Sequence, residues 1–110
     1  MLVYKILRQS EWAALQESGS IPGAPIDIAD GFVHLSSGEQ VRETAARHFA
    51  GVDGLVLLAL EAEALGEPLK WEPSRGGALF PHLYRDLRTS DVAWCKPLPL
   101  EDGQHRFPAL

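Results

Sequence analysis

LVLLAL, residues 55–60, places six apolar residues in a row with no alternation, between Gly54 and Glu61. A run this short and this evenly apolar suits a strand buried on both faces, so it belongs near the middle of a sheet. Outward toward the N-terminus comes FVHLSS, residues 32–37. Read as a strand, it sets Val33 and Leu35 on one face and Phe32, His34 and Ser36 on the other. Ser36 and Ser37, followed by Glu39 and Gln40, read as a capping box opening a helix in which Val41, Ala45 and Phe49 recur before Gly51. LVYKIL at residues 2–7 reads as a first strand. Ser10 then offers an N-cap to EWAALQES, with Trp12 and Leu15 on its core stripe and Gly19 as its stop. Residues 20–31, with Pro22, Gly23, Pro25 and Gly31, read as a loop.

On the C-terminal side, residues 63–68 form a turn, 69–72 a short strand and 73–77 a glycine-rich loop, and DVAWCKPL at 91–98 is the last strand. Pro81 argues against a central strand in ALFPHLYRDL, because proline supplies no ladder donor. Trp71 and Trp94, in apolar strand contexts, are expected in or beside the core, and Cys95 as a buried, inert thiol. The expected fold is one α+β domain with a curved or split mixed β-sheet and two main helices. Its core spans residues 1–98, with a polar tail over 99–110 whose last residues are loosely held.

At 110 residues, 45% apolar and 23% charged, the chain has the size and composition of one globular unit. Its longest apolar run is far short of the ~20 residues of a spanning helix. No export signal is legible at the N-terminus, so the expected location is the cytoplasm. A single cysteine excludes an internal disulfide and a cysteine-rich zinc site. The net charge of −5 argues against general nucleic-acid binding. Residues 70–88 run the other way, with Lys70, Arg75, Arg85 and Arg88 against Glu72 and Asp86, and could receive a small anion.

Of four histidines, His48 and His105 read as surface residues. His34 shares a strand face with Ser36 just before a helix N-terminus, where free amides and the helix dipole favour an anion. His82 and Tyr84 share a face of FPHLYR if it is extended, with Arg85 beside them, and Glu72 sits at a strand–loop junction where a carboxylate can act as a base. His34, Glu72 and His82 are therefore the candidate catalytic groups. Ser36, Gln40, Tyr84 and Arg85 are the candidate ligand contacts, and all are expected to converge on one pocket. No HExxH or paired short spacing marks a metal site, so none is expected. The absence of GxGxxG, GxxxxGK[ST] and GxSxG excludes Rossmann, P-loop and α/β-hydrolase chemistry.

YKIL followed by SEW, then DGFVHLS, KWE and FPHLYRDL, resembles the small bacterial proteins of the domain-of-unknown-function family 952, over about residues 4–92. That family is distantly similar to the ADP-ribosyltransferase superfamily, above all to its RNA 2′-phosphotransferase branch. The similarity rests on Tyr4-Lys5-Ile6, the helix ending at Gly19, and Val33-His34-Leu35-Ser36. It implies an ADP-ribosyltransferase-like fold whose cleft takes NAD as substrate. In that arrangement His34 and Ser36 bind the ribose or nicotinamide end, Arg85 or the second helix's N-terminus faces the diphosphate, and Glu72 or His82 polarises the acceptor. Two functions stay open at this point: a transferase of NAD or ADP-ribose chemistry, and a non-catalytic module on the same scaffold binding a nucleotide-like metabolite or a protein.

Overall fold

The computed structural model describes residues 1–110 except for the Arg75 side chain, so that member of the basic stretch at 70–88 lies outside the described groups. In chain order the elements begin with β1 (Leu2–Leu7), α1 (Gln9–Ser18), β2 (Ser20–Ile21), α2 (Pro25–Asp30), β3 (Val33–His34), β4 (Ser36–Ser37) and α3 (Val41–His48). Then come β5 (Leu55–Glu61), α4 (Ala62–Leu65), β6 (Leu69–Pro73), β7 (Leu79–Leu83), β8 (Leu87–Arg88), β9 (Val92–Leu98), β10 (Leu100–Glu101) and β11 (Gln104–His105). The main sheet runs β4-β1-β5-β9 and a second runs β3-β7-β6, with the small pairs β2-β8 and β10-β11 beside them. The chain is thus α+β with a split sheet, as expected. Its strand pairings are antiparallel rather than of mixed direction.

The apolar run at 55–60 is an inner strand of the main sheet, and its side chains divide between two cores. Val56, Leu58 and Leu60 join Val3, Leu7, Leu15, Val33 and Leu83 on the face toward α1 and the second sheet. Leu55, Leu57 and Ala59 join Tyr4, Ile6, Val41 and Ala45 on the face toward α3. That two-sided burial is why the run has no alternation.

Helix starts differ from the sequence reading. At α1 the cap is made by Glu11 reaching back to the Arg8 amide, 2.8 Å, so the helix opens at Gln9 and Ser10 is not needed as a cap. α3 opens at Val41, one residue past Gln40. Of the expected capping box only the back-bond survives, from the Ser37 amide to Gln40 Oε1 at 3.0 Å. The stretch 20–31 is not a loop: it holds β2 and α2, the helix with Pro25 in its first turn and Gly31 left-handed at its end, φ +86°.

Pro81 does sit in a central strand. The pairs Val33↔Leu83 and His34↔His82 put Pro81 opposite Leu35, where the chain leaves β3 for β4. The Pro81 carbonyl still accepts from the Leu35 amide, 3.0 Å, so the ladder loses only a donor at a strand end. Trp71 is 38% exposed, against expectation, whereas Trp94 packs on the α3-side core. Leu69 of the same strand as Trp71 touches the core, and two residues further along, roughly 7 Å, the core has ended. Cys95 is exposed because β9 is an edge strand left uncovered there. The polar tail is tied down as far as Phe107: β10 and β11 pair, His105 Nε2 meets the Val52 carbonyl at 2.8 Å, and Phe107 packs on the α3-side core under the Arg42 guanidinium. No helix is long and apolar enough to cross a membrane.

Candidate functional site

The register of the second sheet assembles the site. On its face away from the α1-side core, His34 of β3 lies opposite His82 of β7, and His82 lies opposite Lys70 of β6. The next row pairs Phe80 with Glu72. The two imidazole rings have centroids 5.6 Å apart, and Phe32 stacks on His82 at 4.1 Å. His34, His82, Ser36 and Phe80 line a cleft of about 830 Å³ closed on other sides by β1, α2 and α3 residues.

Each histidine is held by a carboxylate. His82 Nδ1 lies 2.8 Å from Glu72 Oε1, and the Tyr84 hydroxyl donates to that same oxygen at 2.6 Å. These bonds, Tyr84 first and then His82, hold the Glu72 carboxyl below the usual range, and Glu72 in turn pushes the Tyr84 phenol up. Glu72 and Tyr84 stand outside the cleft lining and support it through His82. His82 is buried, its side chain 6% exposed, and among the described residues no protein group meets its Nε2.

His34 is gripped at both ring nitrogens: Nδ1 lies 2.6 Å from Asp27 Oδ1 and Nε2 3.0 Å from Asp30 Oδ2. The Asp27 contact is a hydrogen bond, and the Asp30 contact is a close ion-pair approach. Asp27, wholly buried, also accepts from the amides of Ala24 (2.7 Å) and His34 (2.9 Å) and from Lys5 Nζ (2.8 Å). Burial alone pushes its carboxyl up, but the His34 bond and the Lys5 ammonium outweigh that and hold it at about 2. Lys5 spends its second donor on the His34 carbonyl, 3.0 Å, and among the described residues its third is unspent in the cleft wall.

The other sequence candidates each have a protein partner. Ser36 Oγ meets Thr44 Oγ1 at 2.8 Å at the cleft floor. Gln40 ties the start of α3 to β7 through the Leu79 carbonyl, 2.8 Å. Arg85 does not line the cleft: it forms a two-pronged pair with Asp91 at 2.8 and 2.9 Å, which raises the guanidinium and lowers the carboxyl. His48, read as plain surface, stands exposed at the cleft rim. Lys5, Asp27 and Asp30 escaped the sequence reading. Lys5 gave a usable signal, since a cation between Val3-Tyr4 and Ile6-Leu7 in a strand demands a buried anion. Among the described residues, no group of three His, Cys, Asp or Glu side chains is disposed to hold a metal.

Protein CC0527 from Caulobacter crescentus, in its crystal structure, shares 56% identity, with 96% of this chain and 94% of that one covered and a TM-score of 0.92. The solution NMR structure of CC0527 covers 94% of this chain and 90% of that one, at 56% identity and a TM-score of 0.84. No curated protein matches. The model of the family described as "Protein of unknown function (DUF952)" matches residues 6–95, and the chain belongs to that family.

Proposed function

We propose that the cleft is an acid–base site for group transfer on a small nucleotide-like substrate of the NAD or ADP-ribose class. One observation carries the chemistry: two imidazoles, each oriented by a carboxylate, line one cleft with their rings 5.6 Å apart. A histidine whose Nδ1 is held by a carboxylate presents Nε2 for proton transfer, and among the described residues nothing occupies that nitrogen of His82. In transfer from NAD, the bond from ribose C1′ to nicotinamide breaks, nicotinamide leaves neutral, and the acceptor hydroxyl bonds C1′. The hydroxyl proton passes to His82 Nε2. The cleft volume is in the range of small-molecule sites. The choice of substrate class rests on the resemblance to ADP-ribosyltransferases in the β1, α1 and β3–β4 segments. Its diphosphate anchor is not Arg85, which Asp91 occupies, but the unspent donor of Lys5.

A second reading, a non-catalytic binding module on the same scaffold, is favoured by the double grip on His34, which leaves that ring no open nitrogen. Thermal unfolding with NAD and with ADP-ribose, followed by chromatographic assay of nicotinamide release, separates the two. A ligand at 100 times its dissociation constant adds ~2.7 kcal/mol. A shift with release that His82→Gln abolishes supports the transferase. A shift without release leaves the module, and no shift with either ligand ends the NAD reading.

A further inference from the structure

We infer that Asp30 is a built-in stand-in for the substrate's anionic group, and that His34 Nε2 is the anion-binding donor of the cleft, exposed when Asp30 swings out. The inference deepens the acid–base reading, on which it rests, by naming what the substrate must carry there: a carboxylate or a phosphate. The two carboxylates on His34 differ in kind. Asp27 is wholly buried and accepts from four donors in Lys5, Ala24 and His34. Asp30 is 48% exposed, and its contact with His34 Nε2, 3.0 Å, is the one ion pair it makes among the described residues.

Asp30 gains nothing from its place in the helix, because it is the last residue of α2, where the dipole disfavours a negative charge. Gly31 follows with φ +86° and Gly23 precedes the helix with φ +112°. Both Asp30 and His34 line the cleft, so a ligand oxygen entering it reaches the same nitrogen. Lys5, in the same wall with one N–H unspent, supplies a fixed cation beside it. A ligand anion therefore exchanges one acceptor for another at a ring already oriented by Asp27, and the Asp30 carboxylate opposes it until displaced.

The test is an NMR titration of histidine-labelled protein with inorganic phosphate and, separately, acetate, in wild type, Asp30→Asn and His34→Gln. In the wild type the His34 ring signals move on saturation. Asp30→Asn binds about tenfold tighter, equivalent to ~1.4 kcal/mol, and His34→Gln removes the response. The anion with the larger gain identifies phosphate or carboxylate as the group. Equal affinity in wild type and Asp30→Asn overturns the inference, as does phosphate binding that survives His34→Gln. Because the readout is binding, the two proposals fail separately. Phosphate binding that tightens in Asp30→Asn, with no response to NAD or ADP-ribose, sinks the transferase and keeps the subsite. Nicotinamide release with phosphate binding indifferent to Asp30→Asn does the reverse.

Discussion

Replacing Asp27 by asparagine removes the one anion that Lys5, Ala24 and His34 share while keeping its shape. The amide side chain has a single acceptor oxygen and turns an NH2 toward groups that are themselves donors. The wild-type carboxyl is depressed from 3.8 to about 2, worth on the order of 2–3 kcal/mol of folding stability at neutral pH. That figure counts only the preference for the charged form. Removal also strands the Lys5 ammonium, whose side chain is 7% exposed, and breaking one partner of a buried pair costs ~3–5 kcal/mol. The expected loss is therefore ~3–5 kcal/mol, or roughly 12–20 °C in melting temperature at about 4 °C per kcal/mol for a domain of this size. The pH dependence has a fixed sign. A carboxyl whose folded pKa lies below its unfolded value stabilises at pH above the unfolded value and loses that contribution as pH falls from about 4 toward 2. Urea unfolding of wild type and Asp27→Asn at a series of pH values should show a gap that is widest above pH 5 and closes in acid. In a cycle with Lys5→Met the double variant should lose ~1–3 kcal/mol less than the sum of the singles. A gap below about 1 kcal/mol at pH 7, or one that is the same at pH 6 and pH 3, would refute the assignment of Asp27 as the charged keystone of α2.

Gly23→Ala should destabilise by ~1–3 kcal/mol in the same assay, because a Cβ there overlaps the Asp27 carboxylate and Gly23 sits at φ +112°. Arg85→Lys should leave ligand binding by calorimetry unchanged and cost ~1–2 kcal/mol of stability, since an ammonium cannot copy the two-pronged bond to Asp91. Leu57→Ala, at a position with no exposure, should cost ~2–5 kcal/mol in denaturant unfolding. Trp71→Ala should stay within about 1 kcal/mol of wild type while Trp94→Ala costs more, the order set by which ring touches the core.

The framework was legible where burial writes a period into the chain. Leu55–Leu60 showed a two-sided strand, Trp12 and Leu15 a helix stripe, and Val41 with Ala45 another, and the core clusters hold these residues. α2 was not legible because six residues are less than two turns and expose Ile26 and Ile28, so no stripe forms. Its local marks were Pro25 in the first turn, Asp27 three positions past the cap, and Gly31 at the stop. Pro81 stands in a central strand because the register, which no single segment records, puts it opposite a strand end where only one donor is lost.

The site divides along the same line. Period-two alternation sets Phe32 and His34 on one face of their segment and His82 and Tyr84 on one face of theirs, and the structure brings those four rings together. Arg85 lies past the end of β7, where strand alternation no longer sets direction, and there it pairs with Asp91. What no single strand records is which residue faces which across the ladder. The pair His34↔His82 depends on a contact 48 positions apart, and the pair Lys5–Asp27 on one 22 apart. The sequence therefore marks side chains that need partners, a lysine among apolar neighbours or a histidine on a polar face, and only the assembled register says which carboxylate answers. Asp27 answers two of them at once, which is why the loss of one buried oxygen should be felt both in the stability of α2 and in the orientation of the cleft histidine.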